Sequence, residues 1–393
     1  MAAVQSCRNE RPLRIGILTD GLEERHVDGA VGIGNGGVGV YIYNLVSHLR
    51  QIDPVNQYVT IRVGGGGLDL YAAANGKHVS LHRSRWNRLA RWVDVPYPRI
   101  VRERGLDLLH YPNQFGGAFL PRRTKRVVTL HDITPILYPG HHPRRSVLGY
   151  RALMRRSLSA ADHIIVDAGH TADDLVRRGV AVPEKLSVIP LGVAGSFRPG
   201  LRSEAFAARY DLPERFILTV GVLEPRKNHP TLVAALQRLH GKGERVGLVI
   251  VGRDGWRWQD PRADPALAHL RPWLRVYRNV PDADLPEFYA RAAVFAYPSF
   301  YEGFGLPVVE AMASGTPVVA SNVSSLPEVV GPAALLADPR DAGDLAAKLL
   351  SVLRDAALHD RLRLAGLERG RSYSWRQTAQ RTLAVYERVC RGA

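Results

Sequence analysis

Short apolar runs recur along this chain with helical stretches between them, and the series stops once and restarts. Residues 13–19, 58–63, 108–111, 127–130 and 164–167 form the first group, and 216–221, 247–252 and 294–297 the second. Apolar on both faces, such runs read as strands of a covered parallel sheet. Helical patterns at 42–49 and 230–239 fall between them, so the fold class is α/β. Residues 194–201, with Gly195, Pro199 and Gly200, read as the linker between two series. A chain of 393 residues suits two domains.

The densest chemistry follows the run 294–297. Gly303 and Gly305 permit a sharp turn close to a ligand. Pro307 suits a first helical position, and Gly315 and Pro317 stop the helix. A helix N-terminus offers unpaired N–H groups and a positive dipole end, a ready anion site. Glu302 precedes this helix and Glu310 lies inside it. Eight helical steps would span about 12 Å, beyond the roughly 5–9.5 Å between glycosidase carboxylates. Helix-capping acids are the plain alternative. Further back, Arg226 and Lys227 lie beyond the run 216–221 and before a helix, which suits a diphosphate leaving group. His131-Asp132 follows the run 127–130 at a strand end, where open α/β sheets place ligand contacts.

Glu302 and Glu310, with Gly303-Phe304-Gly305-Leu306-Pro307 between them, resemble the E-x7-E signature of retaining glycosyltransferases of family 4, which have the GT-B fold. The likeness continues through Ala311–Ala320 and Ser325–Val329 and covers nearly the whole chain. It implies two Rossmann-like domains facing across a cleft, at 1–195 and 196–372, with a terminal helix, 373–393, packing back on the first. By this resemblance Glu302 and His131 meet the donor sugar, and Asp132 steers the acceptor. Arg226, Lys227, Gly36, Gly37 and the amides of Gly303, Phe304, Gly305 and Leu306 face the diphosphate. Glu310 holds the ribose, and Gly252 and Arg253 lie by the base. Many relatives carry Arg where this chain has Val222. The Leu-Glu-Pro-Arg-Lys-Asn run and Gly255-Trp256 look closest to the bacterial branch that transfers mannose or rhamnose onto surface glycans.

The implied reaction moves a hexose, with mannose from GDP-mannose as the leading donor, onto a glycan or lipid-linked glycan. UDP-sugars, dTDP-rhamnose and a soluble natural-product acceptor remain open. A sugar-nucleotide epimerase would share the fold but should lose Arg226, Lys227 and the Glu302–Glu310 segment. A non-catalytic binding protein should have lost Glu302, Glu310 or Lys227. No covalent nucleophile stands out, which favours same-face attack assisted by the leaving phosphate.

Gly32–Gly39 contains G-x-G-x-x-G, but a dozen residues separate it from the strand, and Arg62-Val63-Gly64 stands where a ribose-binding acid belongs. The resemblance makes 36–41 a Gly-rich loop ahead of the helix 42–49. Asp282-Ala283-Asp284 reads as a helix N-cap with Glu287 at N3, not as a metal D-x-D. Thr171 with Asp174 reads as a capping box opening a helix to Arg178. Helices are expected at 342–354, at 356–367 (broken by Gly370), and from Tyr373-Ser374-Trp375 to about Cys390.

Cys7 and Cys390 have no ligand spacing, which fits a reducing cytosol, and neither metal nor cofactor is expected. No leader is read in residues 1–12, and no window reaches a membrane span. The net charge of +16 calls for a partner or a compositional bias. Nucleic-acid signatures are missing. Residues 82–104, with Trp86, Leu89, Trp92 and Val93 at helical spacing among arginines, read either as an interfacial membrane helix or as a helix packed on the sheet. The basic run 144–156 would widen the same face. The expected location is cytoplasmic, peripheral on the inner membrane face.

Overall fold

The computed structural model describes residues 11–19, 24–27, 30–33, 36–63, 76–81, 97–113, 120–121, 123–142 and 144–392. Nine strands come first: β1 Arg14–Leu18, β2 Glu24–Val27, β3 Ala30–Ile33, β4 Gln57–Val63, β5 Gly76–Leu81, β6 Leu108–Tyr111, β7 Lys125–Leu130, β8 His163–Val166 and β9 Leu186–Val188. Six follow: β10 Phe216–Val220, β11 Gly247–Gly252, β12 Leu274–Arg278, β13 Val294–Tyr297, β14 Val318–Ser321 and β15 Ala334–Ala337.

They form two parallel sheets, ordered β5-β4-β1-β6-β7-β8-β9 and β12-β11-β10-β13-β14-β15, plus the antiparallel hairpin β2-β3. In each sheet the order reverses beside the first strand, at β1/β6 and at β10/β13. That reversal opens a crevice at the carboxyl ends of the strands, where α/β sheets bind ligands. The fully buried strands β6, β10 and β13 explain why their sequences read as unbroken apolar runs.

The last helix, Trp375–Arg391, leaves the second sheet and packs on the helix Gly36–Ile52 of the first. Tyr386 is fully buried there, and its hydroxyl meets His110 Nδ1 at 2.6 Å. Thr378 donates to the Pro190 carbonyl at 2.8 Å. Gly192 lies so close to the Trp375 backbone that a Cβ there would collide with it. One apolar cluster runs from Ile15 and Leu45 through Trp375 to Phe304 and Phe295, so the crossing helix ties the two sheets into shared packing.

Four expectations are corrected. The helix begins at Gly36 and not at residue 42, so Gly36–Gly39 form its first turn and not a preceding loop. The helix from Ala356 continues through Gly370 to Arg371, because Gly370 packs against Ala313, where no side chain is needed. Asp284 is the N-cap of Leu285–Arg291, but its side chain makes no cap bond. Its carboxylate takes Arg209 and Tyr210 instead, and Glu287 takes the Ser203 amide. Thr171 and Asp174 are no capping box: their helix, Gly169–Arg177, starts earlier, and both side chains turn toward the second domain. Of the basic stretch 82–104, residues 82–96 lie outside the described residues, and Tyr97–Arg104 form a helix.

Candidate active site

The two crevices face each other across a cleft of about 400 Å³. Every site residue singled out from the sequence lines it: His131, Asp132, Gly36, Gly37, Arg226, Lys227, Gly252, Arg253, Gly303, Phe304, Gly305, Leu306, Glu302 and Glu310.

At its centre lies a buried charge cluster built from two strand ends. β10 exits into a short turn, Pro225–Lys227, that presents Arg226 and Lys227. β13 exits into Pro298–Glu302. Lys227 Nζ lies 2.7 Å from Glu302 Oε1 and 2.6 Å from the Tyr297 hydroxyl. Arg226 Nη1 lies 2.9 Å from Glu302 Oε2 and donates to the Tyr301 carbonyl at 2.6 Å. Its Nη2 pairs with Glu224, whose side chain is 3% exposed. Burial alone would raise the Glu302 pKa, but Arg226 and Lys227 outweigh it and hold the carboxyl at about 2. Glu302 is therefore ionised at neutral pH. A buried pair this close persists because each carboxylate oxygen has its own charged donor.

The helix Leu306–Ala313 starts after Gly305 and points its N-terminus into the cleft. Pro307 has no N–H and the Val308 amide donates to the Gly305 carbonyl at 2.9 Å, which leaves the Leu306 amide at this helix start. Glu310, one turn in, accepts from the Tyr289 hydroxyl at 2.7 Å. Burial dominates here and, with no cation to oppose it, pushes the carboxyl up to about 7. The two glutamates are thus tuned apart, one held ionised and the other near half-protonated.

On the opposite wall His131 has both ring nitrogens engaged. Nδ1 lies 2.7 Å from Asp167 Oδ2, and Nε2 lies 3.1 Å from the Pro112 carbonyl. Burial would lower the His131 pKa, but Asp167 and the carbonyl reverse that and raise it. Each ring nitrogen thus faces an oxygen. Its ring nitrogens are taken, while its carbonyl oxygen faces Gly303 so closely that a Cβ there would collide with it. Asp132 Oδ1 accepts from the amide and hydroxyl of Thr134, at 3.0 and 2.7 Å. Phe304 packs edge-on against Tyr373. Sequence reasoning missed Glu224, Asp167, Tyr289 and Tyr297. Asp167 and Tyr297 stand at strand ends, where the rule that found His131 applies equally.

The domains also grip each other. Glu328 accepts from the amides of Gly169 and His170 at 3.0 and 3.1 Å, capping a helix of the first domain with a side chain of the second. Trp256 donates to the His141 carbonyl, and Arg257 donates to that of Gly140 at 2.7 Å. The exit loop of β11 therefore reaches the first domain. Among the described residues no group of three metal-ligating side chains converges.

Two family models match: "Glycosyl transferases group 1" over residues 203–369 and "Glycosyltransferase Family 4" over 35–195. O-antigen chain mannosyltransferase B of Escherichia coli is 35% identical over 291 residues, 71% of this chain and 74% of that protein. Serotype-specific mannosyltransferase WbdA of Escherichia coli is 28% identical over 67% of this chain, but the match spans only 34% of that longer protein. Among solved structures, sucrose-phosphate synthase from Thermosynechococcus elongatus superposes with a TM-score of 0.76 over 97% of this chain and 100% of its own, at 23% identity. Two parallel sheets facing across a cleft, closed by a crossing helix, make this the GT-B fold. The chain belongs to glycosyltransferase family 4 and is a nucleotide-sugar-dependent enzyme.

Proposed function

We propose that this enzyme transfers mannose from GDP-mannose, with retention of configuration, onto a glycan or lipid-linked glycan in surface polysaccharide synthesis. The observation that carries the reading is the Arg226–Glu302–Lys227 cluster at the β10/β13 crevice. The likeness to O-antigen chain mannosyltransferase B supports the choice of sugar.

In this reading Arg226 and Lys227 take the diphosphate, aided by the Leu306 amide and by Gly36 and Gly37. Preorganised cations at a departing phosphate lower the barrier without reorganisation, so no metal is needed. Glu302, ionised, faces the donor sugar and its developing positive charge. Glu310 holds the ribose, with Gly252 beside the base. The His131 backbone, fixed by its doubly bonded ring, meets the donor sugar, and Asp132 lies on the acceptor side. The domains divide at 195/196, with residues 373–393 returning to the first.

Membrane contact would use the helix Arg144–Ala160, where Arg144, Leu148, Arg151 and Arg155 are exposed on one stripe. Leu148 is 69% exposed. No described helix is long and apolar enough to cross a membrane, so the contact would be peripheral, at the cytoplasmic face. Residues 82–96 lie outside the described residues.

The test is a thermal-shift series with GDP, UDP, dTDP and ADP, alone and as their sugars. A ligand at 100 times its Kd adds about 2.7 kcal/mol of stability. A shift with GDP and GDP-mannose supports the reading. A shift confined to UDP or dTDP overturns the donor, and none at all overturns the whole.

A further inference from the structure

The cluster that would take the diphosphate is electrically neutral as it stands. Arg226 and Lys227 are matched by Glu224 and Glu302, all four largely buried. A diphosphate brings at least two negative charges into that low-dielectric space, where an uncompensated charge is costly. A further cation within reach is therefore worth seeking, and among the described residues the Lys and Arg side chains that line the cleft are Arg226, Lys227 and Arg253.

Arg253 leaves the end of β11 in the second domain and crosses to the first. Its guanidinium lies against Gly36, close enough that a Cβ at Gly36 would collide with Nη2. Gly36 has φ +63°, which glycine adopts without strain. Gly36 also opens the 17-residue helix Gly36–Ile52, whose N-terminus is a positive dipole end. Two positive features, one from each domain, thus meet at one wall of the cleft. A ligand anion placed there gains from both.

We propose that Arg253 is a third cationic contact for the donor's phosphates, acting with the Gly36 helix start, and not a contact to the base or ribose. This inference rests on the glycosyltransferase reading of the same cleft. It places the phosphate nearer the nucleoside between Arg253 and Gly36, and the phosphate nearer the sugar at Arg226 and Lys227. It also makes phosphate binding a contact that spans both domains.

The experiment measures Kd by calorimetry for guanosine, GMP and GDP, and for the uridine series, with wild type, Arg253→Ala, Arg253→Lys and Lys227→Ala. Thermal midpoints without ligand confirm folding. A charged hydrogen bond contributes about 1.5–3 kcal/mol, so its loss weakens binding about tenfold or more. Arg253→Ala should weaken GMP and GDP by that factor and leave guanosine unchanged, and Arg253→Lys should recover part of the loss. Lys227→Ala should weaken GDP while sparing GMP. An equal loss for guanosine, GMP and GDP would assign Arg253 to the base or ribose and overturn the proposal, as would no loss at all. Tight binding of the uridine series alone overturns the GDP-mannose donor but leaves the Arg253 comparison readable in uridine, UMP and UDP. If wild type binds no nucleoside diphosphate, the cleft assignment and this proposal fall together.

Discussion

Glu302 Oε1 lies 2.7 Å from Lys227 Nζ, and the two residues, 75 positions apart in sequence, are buried at the junction of two strand ends. Removing the ammonium leaves Arg226 as the sole charged partner of Glu302. Lys227→Ala should lower kcat/KM for the donor about 100-fold or more, the size of effect seen when one preorganised donor to a developing charge is lost. Steady-state kinetics at several donor concentrations check it.

The same pair makes stability depend on acid. The folded Glu302 pKa, about 2, lies below its ordinary 4.5. Its contribution is fully present above pH 4.5 and fades as pH falls toward 2. Glu302→Gln should flatten that part of the curve, measured as urea midpoints between pH 3 and 7.

Glu310 behaves oppositely. Its folded pKa of about 7 lies above 4.5, so it favours the native state below pH 4.5 and loses that contribution as pH rises to about 7. As a ribose acceptor it works when ionised, so donor affinity should climb as pH rises through about 7. Tyr289→Phe removes the hydrogen bond that lowers this pKa and should move the inflection up. Glu310→Gln should abolish the inflection. Donor Kd measured from pH 5.5 to 8.5 reports all three.

Gly303 and the His131 carbonyl touch across the cleft with no room for a Cβ. Gly303→Ala should force the walls apart. Overpacking of this kind costs about 1–3 kcal/mol. The expected outcome is a lower thermal midpoint together with slower turnover, measured by calorimetry and kinetics.

Glu328 caps the Gly169 helix from the other domain. Losing a cap costs about 0.5–2 kcal/mol, here drawn from the closed arrangement. Glu328→Ala should raise the radius of gyration seen by small-angle scattering and leave nucleotide affinity nearly unchanged.

Much of this was legible in sequence, and the exceptions have physical reasons. β6, β11 and β13 coincide with runs read as 108–111, 247–252 and 294–297, because strands buried on both faces are apolar throughout. β5, β12 and the hairpin β2-β3 did not stand out. GKHVSL, LRVYR and ERHV carry polar residues that break the pattern. Arg226, Lys227, Glu302 and Glu310, taken from the resemblance, all line one cleft. The shifts of the two glutamates were not legible: burial raises Glu310 against the Tyr289 hydroxyl, while Arg226 and Lys227 lower Glu302. The contacts Glu328–Gly169 and Trp256–His141 join residues more than 100 positions apart, and no local pattern announces them. Thr171 and Asp174 misled for the same reason, since a local capping pattern lost to contacts from across the cleft.

The most direct test of the central claim is proton NMR of the product formed from GDP-mannose and a mannose-terminated glycan. The account predicts release of GDP and a new α-mannosidic anomeric signal, both slowed about 100-fold or more in Lys227→Ala. A β-linked product, or GDP release at the wild-type rate in Lys227→Ala, would contradict it.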